Sequence, residues 1–281
     1  MVATEQIARA VRGAIVEAAV TLRPDVLAAM ERAAESERSQ RGRSVLEQLV
    51  RNAAVACGDR APLCQDTGTA WVRVELGAEE CLEGDLQTAV DEAVRDAYES
   101  AALRMSVVRD ALLDRANTGD NTPAFIEIAQ RPGVGATVHV MLKGGGSDNA
   151  SRIAMLAPAD GWSGVREFVL ETVRATAASA CPPVVIGIGI GSTFDKVGSL
   201  AKRALLSPLD VRATDARIAE YEAELLDAIN ATGIGPAGLG GDTTALGVKI
   251  VTAPCHIAAL PVAVNMGCSA MRSATVEVEP A

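Results

Sequence analysis

The sequence predicts an α/β chain of mixed α+β character. A helical N-terminal segment, residues 1–57, leads into a domain of alternating helices and strands, residues 58–281. Three observations predict it. Apolar residues before position 57 recur at helical spacing. After the break at Gly58 to Pro62, short runs rich in Val and Ile alternate with longer helical periods. Glycine and proline clusters separate these runs, and no internal repeat or low-complexity linker divides them, so residues 1–281 read as one domain.

Ile7, Val11, Ile15 and Leu22 lie at helical spacing over 4–22. Pro24 suits the first turn of a second helix, 25–37, and Ser44 suits the cap of a third, 45–56. Thr69–Leu76 alternates Trp71, Arg73 and Glu75 with apolar residues, which predicts a half-buried strand. Residues 85–115 read as one long helical stretch, ended by the turn cluster Asn117 to Pro123. Strands follow at 124–128 and 136–142, then the glycine run Gly144 to Gly146. Further on, helices are expected at 161–179, 194–206 and 213–231. A buried strand is expected at 183–190, and strands near 247–252 and 260–266.

Composition excludes several function classes. Hydrophobic residues make up 49% of the chain, which argues against disorder over any large part. The formal charge is −10 with no Lys/Arg-rich block, which argues against nucleic acid and anionic membranes as partners. No apolar run reaches the roughly 18 residues a membrane helix needs. The N-terminal stretch carries Glu5 and Glu17 and reads as a helix of the fold, not as a targeting peptide. Six cysteines in a long, core-rich chain fit a reducing cytosol and a metal or redox role better than disulfide stapling.

Three of these cysteines, Cys64, Cys181 and Cys268, stand where the chain leaves a strand or loop and turns. Three thiolates can hold an iron–sulfur cluster and leave one iron open as a Lewis acid. From the residues alone they share the ordinary reading given to Cys57, Cys81 and Cys255, that of small core thiols. The absence of C-x-x-C pairs argues against a structural zinc. Gly187-Ile188-Gly189-Ile190-Gly191 follows a strand and precedes a helix but lacks the dinucleotide spacing, so close strand packing is its plainer reading. The turns Gly144–Ser147 and Gly240–Thr244 offer backbone N–H groups suited to carboxylates or cluster sulfides. His139 reads as a satisfied sheet residue.

Six stretches together resemble the α subunit of the class I fumarate hydratase and L-tartrate dehydratase family, the iron–sulfur hydro-lyases. They are Pro62-Leu63-Cys64-Gln65-Asp66-Thr67-Gly68-Thr69, Asn117 to Pro123, Lys143 to Ser147 and Gly191 to Lys196. The other two are Gly233 to Pro236 with Gly238 to Gly241, and Pro254-Cys255-His256 leading to Cys268. The resemblance runs from about residue 60 to the C-terminus. It implies the hydro-lyase α-subunit fold, with Cys64, Cys181 and Cys268 ligating a [4Fe–4S] cluster. It implies that Gln65, Arg104 and Gly146 bind substrate, and that Asp66 and His256 are catalytic. Asp148 stands where a glutamate is usual, and Asp242 where a basic residue is common. The second change removes a positive charge from near the expected site.

The reaction so implied is reversible loss of water from a small 2-hydroxy dicarboxylate, fumarate/malate first and tartrate second. In the family a β-type portion supplies further cations. The sequence stops at Ala281 without them, so a separate β subunit and an α₂β₂ assembly are expected, in the cytoplasm. Two other readings stay open: a non-catalytic iron–sulfur redox sensor, and a nucleotide-binding protein using Gly187–Gly191.

Overall fold

Helical periodicity in the first fifth of the chain becomes three helices in the computed structural model, which describes residues 1–280. A two-residue strand, β1 (Val2–Ala3), precedes α1 (Thr4–Val20), α2 (Pro24–Ser36) and α3 (Gln40–Asp59). Then come β2 (Thr69–Gly77), β3 (Leu82–Glu83), α4 (Leu86–Ser100), β4 (Phe125–Arg131) and β5 (Ala136–Lys143). Next are α5 (Gly145–Asn149), β6 (Arg152–Leu156), α6 (Gly161–Thr176), β7 (Val184–Ser192), α7 (Phe194–Ala204) and α8 (Ala216–Asn230). The chain closes on β8 (Ala245–Cys255), β9 (Leu260–Gly267) and β10 (Arg272–Val278). The mixed α/β class holds.

The chain forms two units, each drawn from separated stretches: 1–23 with 53–145 and 272–281, and 24–52 with 146–271. In the first unit the sheet order is β10-β5-β2-β4, with β4 parallel to β2 and the other pairs antiparallel. Ile7, Val11 and Ile15 of α1 and Val90, Val94 and Tyr98 of α4 pack on Val72, Val74, Val138 and Val140 of the sheet. In the second unit the order is β6-β9-β7-β8. Val169 and Val173 of α6 and Leu225 and Ile229 of α8 cover one face, against Ile186, Ile188 and Val264. Helix α7 covers the other. Any side chain at Gly187 would meet the Ala201 carbonyl, and one at Gly189 would lie 2.5 Å from the Val197 carbonyl. The glycine run is therefore a strand packed tightly under a helix, the plainer of the two readings.

Several boundaries differ from expectation for identifiable reasons. The helix expected over 85–115 ends at Ser100. Ala102 takes a left-handed φ of 50°, Leu103 N–H bonds to Tyr98 O at 2.8 Å, and Ala102 N–H bonds to Glu99 O at 3.2 Å. This is a Schellman stop with alanine where glycine is usual, so composition does not announce it. Residues beyond it form a loop held by Asn121, which accepts from Ser106 N–H at 2.7 Å, and by Asn117, which donates to Met105 O at 2.9 Å. Helix α3 is capped by Ser39, whose Oγ accepts Gly42 N–H at 3.2 Å, and not by Ser44. Strand β2, expected half-buried, is buried along most of its length, because it is an interior strand and Arg73 is neutralised by Glu75 and Glu127. Cys57, Cys81 and Cys255, expected as core thiols, are exposed. Strands β6 and β10 were not anticipated. His139 bonds Thr275 across the β5–β10 pair at 2.9 Å, as a sheet residue.

Candidate active site

In the first unit the chain leaves α3, turns through Cys64 to Gly68 and enters β2. Leu63 N–H donates to Ala19 O at 2.8 Å and fixes the entry to this turn. Cys64 is half-buried, Gln65 is exposed and Asp66 is half-buried. Both Asp66 carboxylate oxygens accept backbone N–H groups: Gly68 at 3.1 Å and Gly145 at 2.9 Å. Gly68 has φ 79°, and a Cβ there would collide with Lys143 backbone, so only glycine lets the two turns meet.

The Asp66 turn is also held from beneath. Tyr98 donates its hydroxyl to Gly68 O at 2.8 Å, and burial pushes its phenol well above the usual range. Asn121 donates to Gly68 O at 3.2 Å. Arg272 donates from Nη1 to Asp66 O at 2.6 Å. Thr67 Oγ1 donates to the Arg104 carbonyl at 2.9 Å, which ties the main chain of Arg104 to the same turn while its side chain is exposed. So Cys64, Gln65 and Asp66 share one turn, and the main chain of Arg104 is tied to it.

In the second unit, Cys181 has a left-handed φ of 55° and an exposed side chain just before β7, and Cys268 is half-buried just after β9. The antiparallel pairing Val185↔Gly267 puts both at one end of the sheet. Gly146 belongs to the same unit, and a Cβ there would lie 3.1 Å from Ser179 O, two residues before Cys181. Asn265 bridges Asp148 at 3.2 Å and Ser151 at 2.6 Å, and Lys202 Nζ lies 3.8 Å from the Asp148 carboxylate.

His256 is elsewhere. It sits exposed at the turn after β8, where its Nδ1 accepts Ala258 N–H at 3.1 Å. Because Ser192 pairs with Cys255, this turn lies at the opposite end of β7 from Cys181 and Cys268. Eight residue steps of β7 separate the two ends, roughly 26 Å at about 3.3 Å per step.

The donor chemistry fits an iron–sulfur cluster: Cys64, Cys181 and Cys268 are thiols outside any disulfide, none of them fully buried, and two share one sheet end. Among the described residues no three or more His, Cys, Asp or Glu side chains are already gathered as a metal site. A depression of about 570 Å³ is lined by Glu31, Ala34, Glu35, Arg43, Glu47 and Val50 and includes none of these residues; three carboxylates against one arginine are wrong for a dicarboxylate. The two N–H turns hold carboxylates of the protein itself. Gly145 N–H is taken by Asp66, and Asp242 and Thr243 N–H are taken by Glu37, at 2.9 Å each. Asp242 in turn grips Arg38 through a fork of 2.7 and 2.8 Å, which holds its carboxyl down to about 2. Sequence reading missed Arg272 and Glu37, since a single buried charge carries no periodic signal.

The chain matches the model of the fumarate hydratase (Fumerase) family over residues 8–277. It is 40% identical over 271 residues to the putative L(+)-tartrate dehydratase subunit alpha of Methanocaldococcus jannaschii, covering 94% of each chain. It is 34% identical over 258 residues to the L(+)-tartrate dehydratase subunit alpha of Escherichia coli strain UTI89, covering 90% of this chain and 84% of that one. With the strain K12 protein of the same name, identity over the same span is 33%. Among the described residues no helix is long and apolar enough to cross a membrane. A match of this extent, in a fold whose motif residues hold the Asp66 turn together, means that the chain belongs to the class I fumarate hydratase and L-tartrate dehydratase α-subunit family of hydro-lyases.

Proposed function

We propose that this chain is the α-type subunit of a [4Fe–4S]-dependent hydro-lyase that reversibly eliminates water from a small 2-hydroxy dicarboxylate in the cytosol. Malate/fumarate is one substrate pair. The names carried by the similar proteins speak for L-tartrate as the other. One observation carries the reading: Asp66, two residues from Cys64, is held by two backbone N–H groups in a turn tied through Thr67 to the main chain of Arg104.

Cys64, Cys181 and Cys268 would hold the cluster, which supplies a Lewis-acid iron that makes hydroxide a better leaving group. Asp66 moves the C3 proton. Its carboxylate is fixed rather than mobile, so the proton-transfer distance is set before substrate arrives. Arg104 pairs with a substrate carboxylate through its guanidinium fork, and Gln65 and the Gly146 turn orient the rest. The charge that builds on the far carboxylate needs cations beyond these, and a β-type subunit supplies them in an α₂β₂ assembly. His256 acts on substrate only in a second copy of the chain, since in one chain it lies at the wrong end of β7 from two of the thiols.

The test is anaerobic purification of the chain alone and with a β-type chain, followed by dehydration of L-malate and L-tartrate read by ultraviolet absorbance. Turnover of either acid by the pair, and none by the chain alone, is the expected result. Full turnover by the chain alone removes the β subunit from the reading, and iron-replete pairs inert to both acids favour the redox-sensor alternative.

A further inference from the structure

Arg272 is among the largest fully buried side chains of the protein, 1% exposed, yet the reaction as described gives it no part. It opens β10, opposite Leu142 of β5, at the sheet end that also carries the Lys143–Gly145 turn and the Asp66 turn. A guanidinium is costly to bury without compensation. Here Nη1 is bonded to the Asp66 carbonyl at 2.6 Å, while Nε is buried with no hydrogen-bond partner. The charge is thus kept inside for one strong main-chain contact, and that contact is to Asp66.

Gly144 opens the space between the two groups. A Cβ on Gly144 would lie 3.1 Å from Asp66 Oδ2 and 3.4 Å from Arg272 Nη2. Arg272 Nη2 and the Asp66 carboxylate therefore both crowd the point where a side chain at position 144 would begin. The carboxylate is already held by Gly68 and Gly145 N–H groups. Three anchors then fix Asp66: one through its carbonyl and two through its carboxylate oxygens. Packing alone would not need a guanidinium here; an apolar side chain of like volume would fill the space without stranding Nε.

We propose that Arg272 is the positioning residue that aims Asp66 in this hydro-lyase. This rests on the reading of Asp66 as the proton-transfer group. Arg272 does not touch substrate; it fixes the main chain from which Asp66 projects. Lysine at this site keeps a charge but not the planar fork, and alanine at Gly144 presses on both groups without requiring a new backbone conformation.

The experiment uses the chain with its β-type partner, at matched iron content, and compares Arg272→Lys, Gly144→Ala, Asp66→Asn and the double variant Asp66→Asn/Arg272→Lys. Arg272→Lys and Gly144→Ala should each lower kcat by roughly 10- to 100-fold with KM changed less than about threefold, as for a contact realised in the transition state. The double variant should be no slower than Asp66→Asn alone, because a positioning residue has nothing left to position. Hydrogen exchange of the isolated chain should accelerate at the Gly68 and Gly145 amides in Arg272→Lys, with the β2 and β5 amides unchanged. Parental kcat in both single variants overturns the proposal. So does a KM rise without loss of kcat, additive loss in the double variant, or unchanged exchange at Gly68 and Gly145. Should Arg272→Lys not fold, Gly144→Ala decides by the same criteria. Parental turnover by Asp66→Asn instead overturns the underlying reading of Asp66, whatever Arg272 does.

Discussion

Ser269 donates its backbone N–H to the carbonyl oxygen of Cys181 at 3.0 Å. The bond links the turn that follows Cys268 to the left-handed turn at Cys181, so two of the three thiols assigned to the cluster are positioned by one local contact. Cys255 belongs to a different neighbourhood, where its thiol donates to Ala259 O at 3.2 Å. Cys64→Ser, Cys181→Ser and Cys268→Ser should each lose the cluster after anaerobic reconstitution. Cys57→Ser, Cys81→Ser and Cys255→Ser should keep it. Full iron content in Cys181→Ser protein defeats the assignment.

The Asp66 turn separates a proton-transfer role from a bracing role. Asp66→Asn keeps an acceptor for one of the two N–H groups and so should leave folding and iron intact. It should lower kcat by roughly 10²–10⁴, as expected for a lost general acid or base. Arg104 projects from the same turn system but is exposed. Arg104→Lys should act mainly on KM, since the charge persists and the bidentate fork does not. Steady-state kinetics at matched iron content distinguish the two, and an unchanged kcat in Asp66→Asn leaves Asp66 as a turn brace only.

What the sequence made legible follows from periodicity and from turn chemistry. Pro24 does open α2, and the helical stripe Ile7, Val11, Ile15 does face a core. The Asn117–Pro123 cluster is a turn, and Gly68 is required by a left-handed φ. The end of α4 was not legible, because Ala102 does in the Schellman stop what glycine usually does. The burial of Arg73, Arg272 and Glu37 was not legible either, because each depends on at least one partner far away in sequence. The position of His256 relative to Cys268 was hidden for a simpler reason. Twelve residues apart in sequence, they are separated by the full length of β9.

Glu37 offers a stability test independent of activity. It is 0% exposed, and its carboxylate accepts Ser39 N–H at 3.0 Å, Asp242 N–H at 2.9 Å and Thr243 N–H at 2.9 Å. Glu37→Ala strands three backbone donors and should destabilise by about 3–5 kcal/mol, the scale of breaking a buried charged network. Glu37→Gln keeps one carbonyl acceptor and should lose less. Urea unfolding of the isolated chain measures both, and a loss under about 1 kcal/mol for Glu37→Ala contradicts the account.

Asp242 stands where a basic residue is common in the family, but its charge is already answered by Arg38. Its carboxyl is held down to about 2, below the roughly 3.9 of an unfolded aspartate. The sign follows: a depressed acid stabilises the fold above about pH 4, and that contribution disappears as pH falls through about 2. Arg38→Ala should therefore shift acid unfolding to higher pH. The shift should be small and should shrink in high salt, because both side chains are solvent-accessible. Asp242→Asn should leave the ranking of malate against tartrate unchanged. A reversed ranking puts Asp242 back among the groups that select substrate.

The distance between His256 and the paired cysteines yields a test of assembly. If His256 serves the site of a second copy, two inactive chains with different lesions can repair one another. In a mixed assembly of Asp66→Asn and His256→Gln chains, one site receives both lesions and the other receives neither. Random mixing of equal amounts places about a quarter of all sites in the intact state, from the two-fold symmetry of an isologous pair. Activity should therefore rise on co-refolding or co-expression to about a quarter of the parental value, well above either variant alone. If His256 instead served its own chain, every site would carry one lesion and mixing would restore nothing. Activity no greater than the average of the two single variants rejects the trans arrangement and requires His256 to be removed from the catalytic set.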